Sequence, residues 1–600
     1  MNRAHLLHAG AVGLAVVAAL SFSTMPVLAD TANTTSSTSA ATTSTGVTWT
    51  VDAGAMSKSG VMAMAFFPNV ITIDAGDTIT FEGAGHTVSF PGADGKLPAS
   101  TSPAAQAPAG GSTYDGTSFT SSGLLIGKPY TLTFTKPGVY PYYCLLHPGM
   151  MGVVIVNPAG TPYPMTQAQY NAEGQSEQQA DFTAGDQAVS SFQLKAQKNP
   201  NGTTTYFAQT DAPEPQTYTF DLSAQNSSTV RGSALIAFSL PPSQSNPETT
   251  YSIAVKLAGL TPGQSYTAVL SEGTSGSGVT VPQSQFGTVT VNADGTGTVT
   301  GSVNAMALPQ GVWTLDIEDA THHIVASGRI DHPSWAYERF LPDTLHIHTG
   351  DTVVWTQTGI NEVHTVTFLP SGWSDIPNES LMPVPYGGHI YAGTGFYNSG
   401  FMVPGATYDL TFIKSGNFAY RCLLHDVMGM LGTVDVTPQP NVLTIALNNS
   451  VDNVPSRTVG KTTYVPIWYV MHMLQSQGLH STWNGSDWKV SSTTPINAHS
   501  QAGSSGNIHL YLNNQLLFSG DSQVWSLNGH ATTFVPVHQV VGALQSLGFD
   551  AAFDGSTLDM TPQAHAGSVP APTAAQSMGT GGSQSSSASG TSGNAMSGMN

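Results

Sequence analysis

The chain is short of charge. Only 9% of its 600 residues are Asp, Glu, Lys or Arg, against roughly 25% in an ordinary globular domain, so its surfaces must be built from Ser, Thr, Gly, Asn and Gln. Basic residues are scarcest: 16 Lys and Arg stand against 36 Asp and Glu, for a net charge of −20. Phosphate binding needs clustered Lys and Arg, which excludes nucleic acid as a partner. Cysteine is almost absent, and with only Cys144 and Cys422 the chain cannot be a disulfide scaffold of the kind small exported domains use. The two cysteines share one sequence context, which reads as two copies of a reactive site rather than one bridge. Long apolar runs are lacking beyond the N-terminus, and helical periodicity is scarce before about residue 465.

The N-terminus combines Met1-Asn2-Arg3, an apolar stretch from Ala9 to Leu20 and Val27-Leu28-Ala29 before Asp30, the layout of an export signal over 1–29. An uncleaved anchor is the alternative, because Ala9 to Ala29 approaches the ~20 residues that span a bilayer; it leaves open association with a membrane or cell surface through the N-terminus. A secreted or cell-surface location follows. With only 16 Lys and Arg and 19 His, positive charge stays limited when carboxylates are neutralised, and self-repulsion in acid is small. An acidic exterior fits.

Length alone suggests about four domains. Short β-branched and aromatic runs between Gly, Pro and Asn turns predict a mainly β protein. Phe67-Pro68-Asn69-Val70-Ile71-Thr72-Ile73-Asp74-Ala75-Gly76-Asp77 matches Leu341-Pro342-Asp343-Thr344-Leu345-His346-Ile347-His348-Thr349-Gly350-Asp351. Cys144-Leu145-Leu146-His147 matches Cys422-Leu423-Leu424-His425. The offset grows from 274 to 278, so one insertion of four residues before His364 separates two copies of a domain, at 46–158 and 332–438. Residues 30–45 and 564–600 are Ser-rich tracts expected to be a disordered linker and tail, and 159–215 reads as a linker. Residues 216–331 read as a β-sandwich. In 440–563 a strand-then-helix pattern occurs twice, with Thr463-Tyr464-Val465-Pro466 recurring at Thr533-Phe534-Val535-Pro536, which predicts a small α+β domain.

Each copy of the repeated domain supplies a His (His86, His364), then a Cys (Cys144, Cys422) 58 residues later, then a His three positions on (His147, His425). Methionines follow. Two imidazoles and a thiolate in a plane, with a weak axial thioether, are the donor set of a blue-copper site, because soft sulfur suits Cu(I) and imidazole suits both oxidation states.

Strand, turn, Gly-Asp, first His and Cys-x-x-His in this order resemble the plastocyanin/amicyanin family, over about 220 residues in two copies. The resemblance implies two cupredoxin Greek-key β-barrels and copper held in two mononuclear type 1 sites. In the first loop Met lies three after His, as in amicyanin, pointing to Met150; in the second, Gly432 lies seven after His, as in plastocyanin, pointing to Met430. Met151 and Met428 are then apolar cover for the metal. Thr87 and Thr365 stand where many family members carry an Asn that ties the two ligand loops together, so that tie is unaccounted for. The run Leu257 to Gly263 loosely resembles the chordin-type repeat, a relative of the copper/zinc superoxide dismutase sandwich, without the His cluster of a dismutase metal site. The C-terminal repeat resembles the small domain at the N-terminus of copper amine oxidases, an accessory module.

Electron transfer is the expected function, with redox partner proteins as partners, a carrier rather than a catalyst. The rivals are a copper oxidase or nitrite reductase, which place a His beside the Cys where this chain has Tyr143 and Leu145 or Arg421 and Leu423, and copper storage at a cell surface. Three weaker candidates remain. The pair His346 and His348 reads as solvent-facing, Met471-His472-Met473 as helix packing, and His322-His323 has no evident partner.

Overall fold

The computed structural model describes residues 46–562, apart from 100–101, 148–149, 240–249, 273–279, 305–310, 333, 379–380, 477, 493–495 and 502–504. The expected export signal (1–29), linker (30–45) and tail (564–600) lie outside the described residues. The chain is mainly β, as its composition and repeats predict.

In the first repeat the strand Thr48–Met56 alternates, sending Trp49, Val51 and Ala53 into the core and their neighbours outward, as a period of two requires. One sheet runs Val61–Phe67, Thr48–Met56, Thr78–Gly83, Tyr130–Phe134, Thr113–Tyr114. The facing sheet runs Val70–Asp74, Met151–Asn157, Gly138–Tyr143, Ser89–Phe90, Thr120–Ser121. Between them Tyr142 packs on Phe66 at 4.5 Å and stacks on Phe90 at 4.9 Å, each pair adding roughly 0.5–1.5 kcal/mol beyond area burial. The second repeat has corresponding sheets: Lys195–Lys198, Thr204–Gln209, Thr352–Thr356, Thr407–Phe412, Ile390–Tyr391, and Thr344–His348, Leu431–Thr437, Gly416–Arg421, Thr367–Phe368, Tyr397–Asn398. Tyr420 takes the place of Tyr142, 4.5 Å from Phe340 and 5.2 Å from Phe368.

The expected linker 159–215 needs correction, because it is folded. Thr204–Gln209 runs parallel to Thr352–Thr356 just as Thr48–Met56 runs parallel to Thr78–Gly83. The second barrel therefore opens before the sandwich, which is inserted into it. A 25-residue helix, Gln167–Ser191, starts at a capping box made by Thr166 and Gln169. Its sequence is largely polar, and it docks through Tyr170, Phe182 and Val189 together with small residues; a Cβ added to Gly185 would lie 2.5 Å from Val61 Cγ1. The insertion forms a nine-stranded sheet, from Thr217–Ala224 to Ile324–His332, over a core that includes Leu222, Ile236, Ile253 and Leu315. In the C-terminal part, helices Ile467–Gln475 and Val537–Ser546 follow strands Thr462–Pro466 and His530–Pro536 and share one core with Val465, Leu474, Val535 and Leu544.

The two barrels meet along equivalent strands. Val61–Phe67 pairs antiparallel with Trp335–Tyr337, with Met62 opposite Ala336. In the repeat register these two residues occupy the same position, so the strand pairs with its own counterpart about a local two-fold axis, an isologous contact. Glu338 N–H donates to Gly60 O at 2.8 Å, and its counterpart Met64 N–H donates to Ser334 O.

Candidate metal centres

Each barrel gathers its predicted residues at one end. His86 follows the strand Thr78–Gly83, Cys144 directly follows Gly138–Tyr143, and His147 and Met150 lie in the loop before Met151–Asn157. His86 Nδ1 lies 2.8 Å from His147 Nδ1, and Cys144 Sγ lies 3.9 and 3.4 Å from these nitrogens. In the second barrel His364 Nδ1 and His425 Nδ1 are 3.1 Å apart, with Cys422 Sγ at 3.8 and 3.6 Å. Trigonal bonds of about 2.0 Å to nitrogen and about 2.3 Å to sulfur would separate N from S by about 3.7 Å and N from N by about 3.5 Å, so the donor sets fit a copper ion once the paired imidazoles part by under about 1 Å. Both cysteines are free and buried.

The loops differ in length yet close identically. Cys144 N–H donates to Met150 O at 2.9 Å, and Cys422 N–H donates to Met430 O at 3.2 Å. The second loop absorbs its two extra residues in a 3-10 turn, Asp426–Met428, which brings Met430 to the place of Met150; both are buried. Met428 packs instead with Met62 and Met64 of the first barrel, and Met151 joins the core of the inserted sheet.

The tie between ligand loops is present, with Thr replacing Asn. Thr87 Oγ1 accepts from Leu145 N–H at 2.7 Å and Thr365 Oγ1 from Leu423 N–H at 2.8 Å. Backbone N–H of Thr87 and of Thr365 each points at its cysteine sulfur at 3.4 Å.

Burial by itself would push both thiols up, but the adjoining histidines outweigh it: His147 and His86 hold Cys144 well below its ordinary value, and Cys422 falls to about 6. The thiolate form that a metal needs is favoured before any metal arrives. Burial lowers His86, whereas His147 rises well above its usual value because Glu362 and Cys144 outweigh burial.

Three carboxylates that sequence reasoning missed complete the second centre. Asp211 Oδ2 lies 3.4 Å from His364 Nε2. Glu338 Oε2 lies 3.0 Å from His425 Nδ1. Glu362 Oε1 lies 2.8 Å from His147 Nε2, in the other barrel, while its Oε2 lies 3.9 Å from His425 Nε2. All three are buried. Burial would raise Glu362, but the charge of His147 outweighs it and holds the carboxyl down at about 2. A signal existed for Glu338, a charge in a strand whose copy reads Val-Met-Ala-Met-Ala-Phe-Phe. None existed for Asp211, which precedes the insertion.

The remaining histidines stay apart from the centres. His346 pairs with Asp435 on the surface at 3.1 Å, as a solvent-facing residue would, and His348 lies 3.8 Å from Asp351. His472 stacks on Trp468 while Met473 is buried in the C-terminal core. His322 has a partner after all, Glu318 at 3.0 Å. Among the described residues no helix is long and apolar enough to cross a membrane.

Residues 53–157 match the model of the copper binding proteins, plastocyanin/azurin family. No curated protein matches the chain. Similar solved structures include the reduced state of an amicyanin mutant (24% identity, 16% of this chain and 73% of that one, TM-score 0.12). A Cu(I) form of another amicyanin mutant is 26% identical over 17% of this chain and 71% of that one, TM-score 0.12. A novel purple cupredoxin from Nitrosopumilus maritimus is 21% identical over 16% of this chain and 82% of that one, TM-score 0.12. The segment 53–157 thus carries the sequence signature of a plastocyanin/azurin-type copper-binding domain.

Proposed function

We propose that the protein is an exported blue-copper electron carrier with two mononuclear type 1 centres, at His86, Cys144, His147 and Met150 and at His364, Cys422, His425 and Met430. The observation that carries this reading is that, in each barrel, two imidazole nitrogens and a thiol sulfur converge within 3.9 Å inside a closed aromatic core. Copper, when bound, supplies one-electron chemistry. The chain supplies a rigid frame: the threonine ties and the Cys-to-Met backbone bonds hold the donors, and burial keeps water off the sulfur. A fixed frame favours electron transfer, since little rearrangement accompanies a change of oxidation state.

Redox proteins outside the cell are the proposed partners, and the inserted sheet and C-terminal α+β unit are proposed as chordin-like and amine-oxidase-like accessory modules. An acidic exterior is supported by carboxyls that burial raises, such as Asp181, pushed up to about 6. Metal analysis with the visible spectrum tests the function: two coppers per chain, both with intense thiolate-to-copper absorption, are expected. Additional non-blue copper would favour an oxidase or a store.

A further inference from the structure

Resting on the two-centre reading above, we infer that the centres form one internal relay, in which electrons pass between the coppers through His147, the Glu362 carboxylate and His425. The ring edges of these two ligands, which could have faced solvent, face one carboxylate instead, at 2.8 and 3.9 Å. His147 is only 6% exposed and His425 7%. The shared strand pairing fixes this approach, because Val61–Phe67 and Trp335–Tyr337 lock the barrels about the local two-fold axis. Met428, one turn from His425, fills the contact from the other side: a Cβ added to Gly85, beside His86, would come within 3.0 Å of its Cε.

Glu362 is unique to one side. It stands two residues before His364, and the residue two before His86 is Ala84, so a single carboxylate serves both centres rather than a symmetric pair clashing at the axis. Its two oxygens face the Nε2 edges of the two ligand imidazoles, whose Nδ1 atoms face their own sites. In the transfer the reduced centre goes from Cu(I) to Cu(II) and the oxidised one from Cu(II) to Cu(I). One electron moves, no bond forms or breaks, and Glu362 remains a carboxylate throughout.

The test uses the full copper-loaded chain. Electron paramagnetic resonance of the fully oxidised protein should show dipolar broadening between two Cu(II) spins, and the Cys422→Ser variant should lose it. After rapid partial reduction, optical re-equilibration between the centres should slow by at least about tenfold in Glu362→Ala and less in the shape-conserving Glu362→Gln, with both absorption bands kept. Two bands with unbroadened spectra, or an unchanged rate in Glu362→Ala, overturn the relay and leave the two-centre reading standing. Absence of the bands in the wild-type protein overturns both.

Discussion

The two centres share their ligands and differ in what surrounds them. Gly54 stands by the first and Asp211 by the second in the same strand register, set by Thr48 opposite Thr78 and Thr205 opposite Thr352. No side chain fits at Gly54: its φ is +73° and a Cβ would lie 2.1 Å from His86 Nε2. Met64 likewise corresponds to Glu338, and Ala84 to Glu362. The first centre thus keeps only the shared Glu362, 2.8 Å from His147, with His86 Nε2 unpartnered, whereas the second adds the buried carboxylates Asp211 and Glu338. Nearby negative charge favours Cu(II), so the second centre should have the lower potential, and electrons within the pair should run from the second to the first. On the proposed reading, one ligand set, duplicated, would become a donor and an acceptor through residues outside that set.

The most drastic way to break the comparison is to remove one thiolate. Cys144→Ser should abolish one intense blue band and leave the other, and Cys422→Ser the reverse; loss of both bands from either change would mean that the centres do not form independently. A subtler change makes the second centre resemble the first. Glu338→Met should raise the second potential by on the order of 100 mV, since a unit charge at about 4 Å and an effective dielectric near 20 is worth about 4 kcal/mol. A redox titration that leaves the gap between the two potentials unchanged would show that Glu338 does not set it.

The loop register gives a sharper contrast at lower cost. Met430→Leu should keep the blue colour and raise the potential of the second centre by removing a weak thioether donor. Met428→Leu, a volume-conserving swap at the barrel contact, should leave the potential nearly unchanged and cost under about 1.5 kcal/mol. The reverse ranking would make Met428 the axial donor.

The smallest effect lies outside both centres. Asp181 accepts from Ser334 N–H and Oγ–H at 3.3 and 2.9 Å where the long helix meets the barrel contact, and burial lifts it from 3.8 to about 6. Its folded value exceeds its unfolded one, so its contribution is complete below about pH 4 and fades as pH rises through about 6. The melting temperature of Asp181→Asn relative to wild type should therefore be more favourable at pH 7 than at pH 4. A difference independent of pH would place the titration elsewhere.

The ligand residues were legible because a metal site is written in residue type and spacing: His86 to Cys144 and His364 to Cys422 repeat the same interval, and Cys-x-x-His needs no partner sequence to be recognised. The β character was legible for a similar local reason, the alternation of strands such as Thr48–Met56. The helix Gln167–Ser191 was not, since its packed side mixes Tyr170 with Gly174, Asp181 and Gly185 in a largely polar sequence.

By itself, then, the sequence determined which side chains could bind metal, that they occur twice, and that β-barrels hold them, because each of these depends on short stretches of chain. Tertiary structure alone decided that the second barrel is interrupted by an inserted sheet, that the barrels pair strand to strand, and that Asp211, Glu338 and Glu362 gather at one centre with Glu362 reaching the other. Asp211 and His364 are 153 residues apart. Their contact depends on how distant strands register, and long-range register follows from the packing of whole faces rather than from any local pattern.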